Sequence, residues 1–112
     1  MGRHEEGELG MTVDTPWGMS QTCTEVGEGI LHVTTAGHGG YRVPRSMHRA
    51  MPAKYQAAGD DYVDPDYTGG RWVWYEEDCA WSAVCLSYPD LFPAHALEPA
   101  KATFRQVYEA RA

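Results

Sequence analysis

The chain has 112 residues, 43% of them hydrophobic, and a net charge of −7. That length fits one domain with a single core, and that composition excludes wholesale disorder. No apolar run approaches the roughly 20 residues of a membrane span, and an acidic chain is a poor direct ligand for nucleic-acid phosphates. Charge is unevenly placed. Residues 59–92 hold one base, Arg71, and eight acids, so this segment carries the whole imbalance. Such a surface favours encounter with a basic protein partner. The three cysteines, Cys23, Cys79 and Cys85, form no C-x-x-C pair and read as reduced, buried thiols of a cytosolic protein.

Residues 1–12 are polar and acidic, with no apolar signal segment, and read as a flexible leader before one compact domain over residues 13–112. Asp14-Thr15-Pro16-Trp17-Gly18 reads as a turn, with Trp17 as a core anchor. Residues 20–26 and 29–36 read as two strands joined by Gly27-Glu28-Gly29, a hairpin signature. In the second strand Ile30, His32 and Thr34 point one way and Leu31, Val33 and Thr35 the other, which predicts a sheet with one buried side. Tyr41-Arg42-Val43 predicts a short third strand. Residues 44–51 and 52–58 predict short helices, the first with proline in its opening turn. Residues 59–70 read as an acidic loop.

Arg71-Trp72-Val73-Trp74-Tyr75-Glu76-Glu77-Asp78-Cys79-Ala80-Trp81 holds three of the four tryptophans beside three consecutive acids. The stripe Tyr75, Cys79, Ala83 and Leu86 predicts a helix from Trp74 or Tyr75 to Tyr88, with the acids in its dipole-favoured first turn. A last helix is expected from Glu98-Pro99 to Arg111, with Ala100, Phe104, Val107 and Tyr108 as its apolar stripe. The fold class is α+β: a small antiparallel sheet, made of a hairpin and a short third strand, covered by two or more helices.

Four constellations could carry function. Glycines around His38 resemble an esterase oxyanion loop, but no G-x-S-x-G nucleophile turn exists anywhere in the chain. Cys79 with His38 or His95 could form a thiol site, although the adjacent acids oppose thiolate formation. His38 with Glu76, Glu77 and Asp78 could form a small hydrolytic or metal-dependent centre, yet neither an EF-hand nor an H-E-x-x-H pattern is present, and no cofactor is expected. The favoured reading is a binding surface of Asp60, Asp61, Tyr62, Asp64, Asp66, Tyr67, Glu76 and Glu77, with Trp72 and Trp74 interleaved. Aromatics inside a negative field suit a protein interface.

Thr15-Pro16-Trp17-Gly18, Thr35-Ala36-Gly37-His38-Gly39-Gly40, Trp74-Tyr75-Glu76-Glu77-Asp78-Cys79-Ala80-Trp81 and Tyr88-Pro89-Asp90-Leu91-Phe92 occur in this order. Together they resemble a domain of unknown function from phages, plasmids and other bacterial mobile elements. The resemblance covers about residues 14–92 and implies no reaction. It implies a mobile-element setting, in which small acidic proteins often serve as anti-defence factors, anti-CRISPR proteins among them. The expected partner is then a basic surface of a host nucleic-acid-handling complex in the bacterial cytoplasm, with no membrane contact. A plain accessory domain is the remaining reading.

Overall fold

The computed structural model describes residue 10 and residues 12–59 and 72–109. Asp14–Thr15 (β1) and Gly18–Met19 (β2) form a miniature antiparallel hairpin. Thr22–Gly27 (β3), Ile30–Thr34 (β4), Gly39–Pro44 (β5) and Trp72–Glu76 (β6) form a four-stranded antiparallel sheet in the order β3-β4-β5-β6. The helices are Arg45–Arg49 (α1), Ala53–Gln56 (α2), Trp81–Ser87 (α3) and Leu97–Phe104 (α4). The fold is α+β.

The β3–β4 hairpin follows its sequence signature. Gly27, Glu28 and Gly29 all take positive φ, a conformation open to glycine at little cost. The Glu25 carboxylate accepts from the Gly29 N–H at 3.1 Å and steadies the loop. At the other end of the hairpin the Thr22 and Thr34 hydroxyls meet at 2.6 Å across the strands.

The principal correction concerns residues 72–76. They form a strand, where the four-residue spacing of Tyr75, Cys79 and Ala83 predicts a helix. Val73 pairs with Val43, Trp74 with Arg42 and Tyr75 with Tyr41. Alternation in a strand sends Trp74 and Tyr75 to opposite faces, and both are fully buried. The three acids therefore end a strand and open a turn, and α3 begins only at Trp81.

The sheet is also covered on both faces, where one buried side is expected. On the helical face, Ile30, Val43, Val73 and Tyr75 pack with Ala83, Val84 and Phe104. On the opposite face, Cys23, Leu31, Val33 and Trp74 pack with Val13, Trp17 and Trp72. Trp17 meets Trp74 edge-on, with ring centroids 5.7 Å apart. Its ring occupies the space above Gly40. A Cβ there would lie 2.6 Å from Trp17 Cη2 and 2.9 Å from Glu76 Cα.

The Tyr75 hydroxyl sits 2.6 Å from His48 Nδ1 and 3.4 Å from the sulfur of Met51, which ties β6 to α1 and the turn after it. Burial, with a smaller contribution from Tyr88, pushes the Tyr75 phenol far above the ordinary tyrosine value, so it stays neutral. The C-terminal helix follows expectation through Phe104 and then widens into a π-helical turn over Arg105–Glu109. Ala100 and Phe104 are buried, and Tyr108 stacks on Phe104.

Because Gly40 has backbone and an indole ring within contact range, Gly40→Ala is an overpacking substitution. It should lower unfolding free energy by about 1–3 kcal/mol, read from urea denaturation curves against wild type.

Candidate functional site

Glu76, Glu77 and Asp78 are adjacent in sequence but do different things. The Glu76 carboxylate folds back on the chain. One oxygen accepts the N–H groups of Cys79 and Ala80, each at 2.6 Å, and the other accepts that of Asp78 at 3.1 Å. These are donors that the turn between β6 and α3 would otherwise leave without partners. The Ser82 side chain completes the junction by donating to the Cys79 carbonyl at 2.7 Å. Glu76 is thus a structural acid, and using it as a base or ligand would require unmaking this turn.

Glu77 and Asp78 are exposed. The main-chain N–H of Glu77 donates to the Gly39 carbonyl at 2.9 Å, extending the β5–β6 ladder by one bond. Its side chain lies over Gly39 on the helical face of the sheet. A Cβ on Gly39 would stand 2.9 Å from Glu77 Oε1 and 2.8 Å from the Val33 carbonyl oxygen. The glycine at 39 therefore gives the carboxylate its resting place.

His38 lies in the exposed turn before β5. Its main-chain N–H donates to Thr35 Oγ1 at 3.1 Å, and its carbonyl accepts from the Thr35 hydroxyl at 2.7 Å. His38 and Glu77 are brought to the same end of the sheet through Gly39. Among the described residues no group of three His, Cys, Asp or Glu side chains is gathered to hold a metal. Cys79 lies in the turn with its N–H bonded to Glu76, while His95 is exposed in the short 3-10 turn Ala94–Ala96. Asp60, Asp61, Tyr62, Asp64, Asp66 and Tyr67 lie outside the described residues. Of the interleaved tryptophans, Trp74 is core and Trp72 lies under the Arg42 guanidinium, 3.7 Å from its ring centroid.

The site also contains residues that sequence reasoning missed. His32 faces Tyr41 across β4 and β5, and their rings are 4.9 Å apart. Tyr41 meets Phe92 at 5.3 Å, and Phe92 meets Trp81 at 6.5 Å. All four rings are half-buried. The four rings follow one another on the helical face of the sheet, where Tyr41 and Phe92 also pack against the core, and Glu77 lies near His32. The alternation of β4 places His32 on this face, so half of the strip could have been read from the hairpin register. Trp81 and Phe92 reach it only through the turn built on Glu76.

Burial disfavours the His32 imidazolium and lowers its pKa below the ordinary histidine value, while the Glu77 carboxylate pulls in the opposite direction and recovers only part of it. His32 is accordingly a neutral ring near pH 7.

The chain belongs to the family described as Domain of unknown function (DUF7007), whose model matches residues 10–111. No curated protein and no solved structure matches it. Among the described residues no helix is long and apolar enough to cross a membrane.

The division of labour among the acids separates stability from surface chemistry. Glu76→Ala removes the acceptor of three N–H groups and should cost about 2 kcal/mol, whereas Glu77→Gln and Asp78→Asn should each change stability by less than about 0.5 kcal/mol. Chemical denaturation of the three variants checks this.

His32 generates a pH dependence with a definite sign. Its folded pKa is depressed, so the unfolded chain takes up the proton first as pH falls. The stability contribution is complete above about pH 6.5 and is lost below it, as the solution approaches the folded pKa. Thermal midpoints should drop between neutral and mildly acid pH, less so in His32→Gln. Glu77→Gln should move the NMR-titrated His32 pKa lower still, because the opposing charge is gone.

Proposed function

We propose that this member of the family is an anti-defence binding protein of a bacterial mobile element, anti-CRISPR-like in action. It engages a basic surface of a host nucleic-acid-handling complex in the cytoplasm and blocks access to it. One observation carries this reading: Glu77 and Asp78 stand exposed at the end of the outer strand β6, while the neighbouring Glu76 is consumed by the fold. Neither exposed acid is in an ion pair among the described residues, whose lysines Lys54 and Lys101 pair instead with Glu109 and Glu98. In sequence these two acids follow Asp60, Asp61, Asp64 and Asp66, with Tyr62 and Tyr67 among them. A negative field at one end of a small rigid sheet raises the encounter rate with a positive groove and opposes binding of nucleic acid itself. Occupying such a groove removes the phosphate-neutralising contacts on which nucleic-acid affinity rests.

The enzymatic alternative, His38 with Glu76, Glu77 and Asp78, draws less support. Glu76 already serves three N–H groups, so the quartet offers at most its exposed members.

The test joins capture to a cellular readout. The tagged chain should retain a nucleic-acid-handling complex from bacterial lysate at low salt and release it at high salt. Replacing Asp60, Asp61, Asp64 and Asp66 by Asn, together with Glu77→Gln and Asp78→Asn, should abolish retention. Expression of the wild-type chain should raise phage plaque counts on a host whose nuclease defence is active, and the substituted chain should not. Full-strength retention and protection by the substituted chain would exclude this surface.

A further inference from the structure

We infer that the outer edge of the Arg42 guanidinium, on the face of the sheet turned away from the helices, is a seat for a carboxylate borne on an apolar ligand. Arg42 pairs across the strands with Leu31 on one side and Trp74 on the other, both buried on that face. Its guanidinium lies 3.7 Å from the centroid of the Trp72 ring, a contact that fixes the plane of the group and uses none of its N–H donors. Those donors have no acceptor. Among the described residues Arg42 makes no ion pair and no hydrogen bond, and its Nε is sealed from solvent without a partner. The indole N–H of Trp74, on the adjacent strand, is buried and unpartnered as well. The acids that alternate onto this face are engaged elsewhere. Glu25 accepts the Gly29 N–H, and Glu76 accepts the three N–H groups of its turn.

Burial works against the Arg42 charge and Cys23 favours it, but no described carboxylate joins it. An arginine does not escape burial by giving up its proton, so a counter-charge is what the position lacks. Arg42 as a whole is only partly buried. Since Nε is the sealed nitrogen, the edge formed by Nη1 and Nη2 is the one that meets solvent, and a guest docks end-on through it. That approach requires neither the Trp72 face, which the guanidinium covers, nor the sealed indole N–H. Two parallel N–H groups in one plane match the two oxygens of a carboxylate. One guanidinium neutralises one carboxylate, whereas a phosphate dianion would keep uncompensated charge in a half-buried place. Trp72 and, over Gly40 on the same face, Trp17 are only partly buried and give an apolar body something to rest on. The seat faces away from Glu77 and stands independently of the acidic surface.

The seat is tested on the full chain with 3-phenylpropionate and 3-phenylpropionamide, which differ in charge and hardly in outline. A blocked Leu-Glu-Leu peptide, its glutamine counterpart and inorganic phosphate complete the set. In heteronuclear NMR titrations both carboxylates should move the Arg42 Nε–H and Trp72 indole signals, the two amides should not, and phosphate should do so more weakly. Preference for the free acid points to a small organic acid and preference for the peptide to an acidic side chain of a partner; either supports a carboxylate seat. Arg42→Lys keeps the charge, loses the paired N–H groups and should weaken binding about three- to tenfold. Arg42→Met should abolish it, its dispersed spectrum reporting that the fold survives. Equal shifts by acid and amide, phosphate binding tighter than either carboxylate, undiminished affinity in Arg42→Lys, or shifts centred on Lys54, Lys101 and Arg105 would each overturn the seat. So would Arg42 and Trp72 signals that stay in place up to the solubility limit of the acid. Partner capture by the acidic surface is a separate result, since Glu77 and Arg42 lie on opposite faces of the sheet.

Discussion

Strand β6 is buried on both faces, and the rest of the molecule is organised by that constraint. It is the outer strand of the sheet by hydrogen bonding, yet Val73, Trp74 and Tyr75 are wholly or almost wholly inaccessible. Tyr75 draws α1 and α3 onto one side, and Trp74 draws the β1–β2 hairpin onto the other through Trp17. Aromatic side chains of this size bury roughly 150–250 Å² each. A short strand carrying one on each side therefore supplies much of what a small domain needs from its core. The chain must then leave this strand and turn at once into a helix. Glu76 makes that turn affordable by taking up the N–H groups that the change of direction exposes.

Much of the architecture was legible. The glycine-flanked β3–β4 hairpin, the third strand at Tyr41, the proline-led helix after it and the closing helix through Phe104 all follow from local chemistry. Residues 72–76 were not, for a physical reason. A strand buried on both faces loses the polar–apolar alternation that marks a half-exposed one, and its apolar run merges with the next element. Here the run joined a four-residue spacing continued by Cys79 and Ala83, and the acids after it suited a helix start. What decides against the helix is non-local: pairing of Val73 and Trp74 with Val43 and Arg42, some thirty residues earlier. The site divides in the same way. Exposed acids can be recognised from composition, but a strip joining residue 32 to residue 92 depends on register and on where a turn delivers a helix.

Gly39 and Gly40 sit side by side on β5 and, by alternation, open towards opposite faces. One leaves room for a carboxylate at the surface and the other for an indole in the interior. Two neighbouring codons thus guard opposite faces of one strand. A side chain gained at position 39 would press on the Val33 carbonyl of β4 and on the Glu77 carboxylate, and one gained at position 40 on the Tyr75 carbonyl of β6 and on the Trp17 ring. Neither position can gain a side chain without moving the main chain of a neighbouring strand, so both faces of β5 are closed to that change.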